Sequence, residues 1–329
     1  MDASGRRMLA WVSLVIVYLV WGSTYLGIRV AVRDFPPLVL VGARDLVAGL
    51  LLFPIALRIP ANLQPGDPAP LRVGWRQWLG CAVVGGLLIV VGNGGVTVAE
   101  QSLPSGLSAV LVATVPLWMI GFGVPIRRER ISAQAAAGVL LGLVGIIVLA
   151  GADTGSGSVG AVITVLVAAS GWGLGSVLAH VVPLPGRALV ASAMQMLLSG
   201  AVLVLIGVIT GAYGRVDWGA ISAQAWWAMV WLVLAGSVVA FSAYAFALAE
   251  LPLPVVSTYA YVNPVVAVLL GALLLNEHLT GRELIGTAIV VASVAVVTMR
   301  RRRHNRSPAQ TEDERRLPSG ANGHSHSGL

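Results

Sequence analysis

Apolar residues run along this chain in long, nearly uninterrupted segments that are separated by short polar turns. Each segment is about 20 residues long, which is the length that an α-helix needs to cross a hydrocarbon core of about 30 Å. The pattern predicts membrane-spanning helices at residues 9–28, 38–57, 77–97, 104–126, 132–150, 159–179, 188–210, 226–248, 253–275 and 281–299. We therefore expect an all-α integral membrane protein with about ten transmembrane helices.

The pattern of residues 112–142 recurs at residues 260–290, which indicates that the chain contains an internal duplication. Four marker pairs lie 148 residues apart, namely Pro116 with Pro264, Glu129 with Glu277, Ser132 with Thr280 and Gly138 with Gly286. Earlier positions match at a separation of 151 residues, namely Trp21 with Trp172, Arg44 with Gln195 and Gly49 with Gly200. Each half of the chain contains five predicted helices.

Because five is an odd number, the second half must enter the membrane from the side opposite to the first. We expect two inverted five-helix repeats at residues 9–150 and 159–299, preceded by a cytoplasmic tail at 1–8 and followed by a disordered cytoplasmic tail at 300–329. Arginines are concentrated at the helix ends of one side, and the positive-inside rule then places both termini in the cytoplasm. We expect the chain to lie in the inner membrane of the cell. Inverted repeats are typical of secondary transporters.

Composition supports the membrane location and excludes several classes of protein. Hydrophobic residues make up 57% of the chain and charged residues 11%, against roughly 25% charged residues in an ordinary soluble domain. The single cysteine, Cys81, excludes an internal disulfide framework and a cysteine-cluster metal site. The histidines lack His-Glu-x-x-His spacing, and a chain without lysine cannot contain a Gly-x-x-x-x-Gly-Lys phosphate loop. We expect no enzyme activity, no metal or other cofactor and no nucleic-acid partner.

Together these features resemble the EamA-type branch of the drug/metabolite transporter superfamily. The resemblance lies in two tandem five-helix units, each with a Trp-Gly pair in its first helix, a proline within its fourth helix and a glutamate in the turn before its fifth. The glycine usual before that glutamate is absent from both turns, at 127–132 and 276–280. The resemblance implies a ten-helix basket that moves small organic solutes, often outward, and it leaves the substrate open.

The sequence therefore indicates a secondary transporter that moves a small metabolite or an amino-acid-like solute across the inner membrane by alternating access, with export as the expected direction. A multidrug efflux pump and a non-transporting membrane scaffold are the alternatives. The expected partners are a small-molecule substrate and the lipid bilayer. Gly138 and Gly142 have the spacing of close-packed membrane helices, and a homodimer contact is the alternative role for this pair.

Polar, aromatic and helix-bending residues inside the predicted helices form the candidate site. Buried amides and aromatic rings with a polar tip line a polar cavity or bond between helices. The candidate substrate-binding residues are Trp21, Arg44, Asn93, Trp172, Gln195, Tyr244, Tyr261 and Asn263. Pro116 and Pro264 are candidate gating or helix-breaking residues because proline removes a backbone donor, and a simple packing kink is the alternative.

Arg44 is the first candidate among these residues. It lies about seven residues, hence ~10 Å, into the second predicted helix, where burying a guanidinium costs about 2.5–3.5 kcal/mol. Asp45 follows it directly, but successive residues of a helix do not face each other. We expect Arg44 to pair with a substrate carboxylate or phosphate, and the alternative is that its side chain reaches the outer headgroups. Asp45 is an acidic residue inside a predicted helix, so coupling of transport to protons through its carboxyl group is a further alternative.

Overall fold

The structure is a computed structural model that describes residues 3–59, 73–127, 133–150, 158–251, 256, 259–275 and 280–299. Several predicted features fall outside these residues. They are the turn positions Glu129, Ser132 and Glu277 and the charged tail at 300–329.

Ten helices account for most of the described residues. They are α1 (Ala3–Ala31), α2 (Pro37–Arg58), α3 (75–99), α4 (105–127), α5 (Ala133–Ala150), α6 (Ser158–Leu178), α7 (Ala188–Ile209), α8 (223–250), α9 (Tyr259–Leu275) and α10 (Gly281–Met299). Seven described helices are long and apolar enough to cross a membrane, and two shorter apolar stretches lie within α9 and α10. The all-α membrane fold predicted from the sequence is therefore confirmed.

Local sequence accounts for several helix ends. Helix α2 begins at Pro37, whose missing N–H is not needed in a first turn. Helix α8 begins after Ser222, whose hydroxyl accepts a hydrogen bond of 3.2 Å from a backbone N–H of the first turn. The end of α7 is closed by Gly211, which has a φ of 68°, and by a bond from the Ala212 N–H to the Gly207 carbonyl.

The two halves exchange their first helices. Helix α1 packs mainly against α8 and α9 of the second half, and α6 packs mainly against α3 and α4 of the first half. Beside these groups, α2 packs along α7 and α5 packs along α10, so equivalent helices of the two halves meet in pairs. Each half is therefore completed by a helix of the other.

Contacts near the ends of α1 show that the repeats are inverted. At the N-terminal end, Arg6 forms an ion pair with Glu250, the last residue of α8. Near the other end, Arg29 donates a hydrogen bond to the carbonyl of Glu100, directly after α3. Helix α1 is thus parallel to α3 and antiparallel to α8. Because α3 and α8 are the third helices of their halves, the second repeat runs in the opposite direction, as the odd number of helices predicted.

Glycines allow the exchanged helices to approach closely. A Cβ atom on Gly22 of α1 would lie 2.6 Å from Cβ of Val266 in α9, and one on Gly173 of α6 would lie 2.6 Å from Cβ of Trp118 in α4. Val266 and Trp118 are equivalent positions of the duplication. The glycine of each Trp-Gly pair therefore seats the first helix of one half on the fourth helix of the other.

The fourth helices of the two halves differ at their prolines. Helix α4 breaks between Val112 and Val115, and Pro116 lies in the first turn of the second piece, where no N–H donor is needed. Within the break, the Thr114 hydroxyl donates to a carbonyl one turn earlier at 2.6 Å. The equivalent Pro264 lies inside helix α9, which is not interrupted there, and its role as a gating or helix-breaking residue stays a prediction.

The third helices of the two halves share a different irregularity. A π-helical stretch interrupts the α-helix at Gly86–Asn93 in α3 and at Leu232–Val239 in α8. Such stretches disturb the regular backbone bonding of a helix and are frequent at functional positions. The stretch in α8 packs against α1 and α2 of the first half.

Candidate functional site

The π-helical stretch of α8 receives two hydrogen-bond donors from the first half. Trp21 Nε1, on α1, donates to the Gly236 carbonyl at 3.1 Å. Arg44 Nε, on α2, donates to Ser237 Oγ at 3.1 Å. Two candidate residues on different helices of the first half thus converge on neighbouring residues of the second half.

Aromatic rings surround Trp21 on the side of the second half. The centroid of its ring lies 5.3 Å from Phe241, 5.1 Å from Tyr244 and 5.3 Å from Tyr259. The rings of Tyr244 and Tyr259 are 5.7 Å apart. Most of these pairs are edge-to-face, which is the arrangement that ring quadrupoles favour. Trp21 and Tyr244 therefore lie in one aromatic cluster, to which Phe241 and Tyr259 also belong.

Asn263 joins this cluster from α9. Its side chain is buried. With the amide nitrogen turned toward two backbone carbonyls, that nitrogen lies 3.3 Å from the Tyr18 oxygen and 3.2 Å from the Tyr259 oxygen. The amide can therefore link α1 to α9 beside the Trp21 ring, which satisfies a polar group that would be costly to leave unpaired at this depth.

Arg44 lies inside the helical bundle, not on its lipid-facing surface. Its side chain is 5% exposed, and that of Asp45 is 1% exposed. Neither carboxylate oxygen of Asp45 has a hydrogen-bond partner within the described residues. Glu100 is fully buried directly after α3, and both Asp45 and Glu100 interact electrostatically with the Arg44 guanidinium. The site therefore encloses a layer of charged side chains.

The other candidate residues lie outside this group. Trp172 packs on Gly92, where an added Cβ would lie 2.9 Å from the indole ring, and Asn93 follows in the same π-helical stretch. Gln195 is buried on α7, which packs against α3. Tyr261 belongs to α9, and its side chain is outside what the structure describes. Within the described part of the chain, no group of three or more His, Cys, Asp or Glu side chains is placed to hold a metal ion.

The two sides of the pseudosymmetric frame are chemically different. The three rings around Trp21 belong to the second half of the chain. Their equivalent positions on the Trp172 side are Val91 for Phe241, Gly94 for Tyr244 and Leu111 for Tyr259. The charged Arg44 is likewise matched by the neutral Gln195. The polar and aromatic groups are therefore concentrated where α1 and α2 meet α8 and α9.

Two residues of the site were missed by the sequence analysis. Ser237 is one of many hydroxyl residues in an apolar run, and nothing in its local sequence distinguishes it. Glu100 follows a predicted helix that was ended at residue 97, whereas α3 continues to Ala99. The internal repeat could have drawn attention to Glu100, because Ala-Glu-Gln-Ser-Leu-Pro at 99–104 corresponds to Ala-Glu-Leu-Pro-Leu-Pro at 249–254.

These features define a multi-pass membrane protein of the transporter class, since the polar groups lie at the boundary between two inverted repeats within the membrane helices. The model of the EamA-like transporter family matches residues 8–151 and 159–299. The chain belongs to the EamA-like transporter family.

Relatives of known name support this assignment. An Escherichia coli (strain K12) protein named "Uncharacterized inner membrane transporter YedA" is 37% identical over 292 residues, covering 87% of this chain and 90% of that protein. A Salmonella typhimurium protein named "Probable amino-acid metabolite efflux pump" is 24% identical over 297 residues, covering 86% of this chain and 92% of its own length. A crystal structure of a protein 20% identical in sequence superimposes with a TM-score of 0.60, covering 92% of this chain and 100% of that chain, which shows likeness of fold.

Proposed function

We propose that this chain is a secondary transporter that exports a small amino-acid-like solute across the inner membrane by alternating access. The observation that carries the proposal is Arg44, a guanidinium enclosed where the two halves meet and bonded to Ser237 of the opposite half. A charge buried at this depth is costly, so it marks a functional position. The name of the Salmonella typhimurium relative, a probable amino-acid metabolite efflux pump, supports the solute class and the outward direction.

The inverted repeat supplies the motion in this proposal. Two halves of the same fold and opposite orientation can exchange shapes, so that a central site opens first to one side of the membrane and then to the other. Helix α1 moves with α8 and α9, and α6 moves with α3 and α4, because these are the helices that pack together. Trp21 and Arg44 couple the site to the motion, because both bond to the π-helical stretch of α8.

Arg44 takes the carboxylate of the solute in this mechanism. The planar guanidinium can hold a carboxylate through two parallel hydrogen bonds, which a lysine cannot reproduce. The rings of Trp21, Phe241 and Tyr244 offer apolar contact area for the remainder of the solute, and the Tyr244 hydroxyl adds a polar tip. A compact solute with one carboxylate fits this combination of groups.

We also propose that both termini face the cytoplasm. The support for this orientation is the excess of arginine at the helix ends on the side of the termini. The Escherichia coli relative, which is named as an inner membrane transporter, supports the choice of membrane.

The test is transport by the purified protein in proteoliposomes, measured against a panel of amino acids and related metabolites with and without a pH gradient. Arg44→Gln is expected to fold normally and to lose about ten- to a hundredfold in transport of its substrate, because a bond to a charged group is lost. Arg44→Lys should restore transport in part, and Arg215→Gln, which changes an exposed arginine beyond α7, should leave it unchanged. Equal transport by wild type and Arg44→Gln would remove Arg44 from the site.

A further inference from the structure

Arg44 belongs to a group of four charged residues, together with Arg29, Asp45 and Glu100. Asp45 follows Arg44 on α2. Glu100 directly follows α3 and interacts electrostatically with the Arg44 guanidinium. Arg29 of α1 donates a hydrogen bond to the carbonyl of Glu100. The C-terminal piece of α3 packs against α2, which brings Glu100 into this layer. Two guanidinium groups and two carboxyl groups are therefore gathered in one layer of the bundle.

Asp45 is the unusual member of this layer. Its side chain is buried, and no donor among the described residues reaches either carboxylate oxygen. A buried acceptor without a partner costs about 1–3 kcal/mol, and more when it carries a charge. Arg44 does not supply the missing bond, because adjacent residues of a helix point in different directions. A ligand that brings N–H donors would satisfy Asp45.

The charges of the layer balance when Arg29 and Arg44 are counted against Asp45 and Glu100. In the interior of a membrane protein the net charge of such a layer acts strongly, because water screens it little. A neutral layer accommodates a solute whose own charges sum to zero, and it disfavours a solute that adds a net negative charge. The net charge of this layer therefore affects which solutes can bind at Arg44.

We propose that Asp45 and Glu100 make the Arg44 site selective for zwitterionic over anionic amino-acid-like solutes. Arg44 receives the carboxylate of the solute, and Asp45 receives its ammonium group, which supplies the missing donors. Glu100 acts through Arg44 by offsetting charge and is a positioning residue. This inference rests on the proposed function, in which Arg44 binds a solute carboxylate.

The duplication provides a matched control for Glu100. Glu250 occupies the equivalent position of the second half and is paired with Arg6 at the N-terminal end of α1. That pair is partly exposed, with Arg6 38% and Glu250 20% exposed. Glu250 lies at the end of α8, beyond the π-helical stretch that bonds to Arg44. Neutralising Glu250 removes the same charge from the protein without changing the layer around Arg44.

The experiment compares each standard amino acid with its N-acetyl derivative, which keeps the carboxylate but lacks the ammonium group. Uptake is measured with the full-length protein in proteoliposomes, and the result is the ratio of anion to zwitterion transport in each variant. Because the same pair of compounds is used throughout, the bulk of the acetyl group cancels between variants. Asp45→Asn and Glu100→Gln should each raise the ratio about tenfold, since each removes one negative charge from a poorly screened layer.

Two further variants keep the test decisive. Glu100→Asp retains the charge and should retain the wild-type ratio, and Glu250→Gln should also leave it unchanged. An unchanged ratio in whichever of Asp45→Asn and Glu100→Gln folds, or an equal rise in Glu250→Gln, would overturn the selectivity proposal while leaving the transporter proposal intact. Wild-type protein that transports neither compound of any pair would overturn both proposals.

Discussion

At the scale of single residues, two side chains of the first half bond to one turn of α8. The Trp21 indole reaches the Gly236 carbonyl and Arg44 reaches the Ser237 hydroxyl, each at 3.1 Å. The π-helical stretch explains the first of these bonds, because irregular backbone bonding leaves carbonyl groups accessible that a regular α-helix would use internally. Trp21 therefore acts through its N–H group as well as through its ring.

Replacement of Trp21 by phenylalanine tests the role of the N–H group. The smaller ring keeps most of the aromatic contacts but cannot donate to Gly236, so the unfolding free energy should fall by about 0.5–1.5 kcal/mol. Trp231→Phe is the matched control, since the Trp231 indole donates to Ser23 Oγ but its ring is exposed. Thermal unfolding of both variants in detergent should show the larger loss for Trp21→Phe. A smaller loss for Trp21→Phe than for Trp231→Phe would show that the aromatic ring at position 21, and not the Trp21 N–H group, stabilises the protein.

The sequence predicted the individual groups of the site better than their arrangement. Trp21, Arg44, Tyr244 and Asn263 stand out because a polar or aromatic side chain inside an apolar run requires an explanation. Their convergence could not be predicted, because it depends on α1 leaving its own half to pack on α8 and α9. Glu100 was missed because the apolar run ends before α3 does, and Glu100 directly follows α3.

At the scale of helices, the apolar runs predicted the elements to within a few residues at nearly every boundary. One exception is the start of α9, at Tyr259 where residue 253 was predicted, and residues 252–255 and 257–258 lie outside those that the structure describes. The other is the start of α1, which begins at Ala3 and includes Arg6 and Arg7 in its first turns. Hydrophobicity alone cannot predict this extension, because Arg6 is held by Glu250 of the other half. The break in α4 and the continuity of α9 also differ in spite of their equivalent prolines, so tertiary packing decides what each proline does.

The glycine contacts between exchanged helices give a prediction for α6. In Gly173→Ala the new methyl group would meet Cβ of Trp118 at 2.6 Å, so α6 and α4 must separate, at a cost of about 1–3 kcal/mol. Gly160→Ala is the control on the same helix, because a Cβ atom there meets nothing within 4 Å. The melting temperature of purified protein should fall for Gly173→Ala and be equal or higher for Gly160→Ala. An equal decrease in both variants would contradict this account of the Trp-Gly pair.

At the scale of the whole molecule, the two exchanged contacts are held together by different means. Helices α1 and α8 are linked at both ends, by the Arg6 to Glu250 ion pair and by two hydrogen bonds from Ser222 to Asp34 Oδ2 of 2.9 and 2.6 Å. The bonds from Ser222 also hold the pKa of the Asp34 carboxyl below its usual range. The contact of α6 with α3 depends on glycines that pack against apolar side chains. The fold is therefore symmetric in outline, while its polar links are concentrated on one side.

The inverted repeat makes the last prediction, which concerns the orientation of the chain in the membrane. Ala133 at the start of α5 and Gly281 at the start of α10 are equivalent, exposed positions of the two halves. Single cysteines at these positions, in a Cys81→Ala background, should react with a membrane-impermeant maleimide from opposite sides. With both termini in the cytoplasm, Gly281→Cys should react in intact cells and Ala133→Cys only after the membrane is opened.

A third position defines the outer side independently. Gly219 lies in the exposed connection between α7 and α8, which the same topology places outside, so Gly219→Cys should react together with Gly281→Cys. Reaction of Ala133→Cys in intact cells, with the other two protected, would reverse the orientation but keep the inversion. Reaction of Ala133→Cys and Gly281→Cys from the same side would exclude an odd number of crossings between them. Alternating access between inverted halves would then have no structural basis, because equivalent helix ends would face the same compartment.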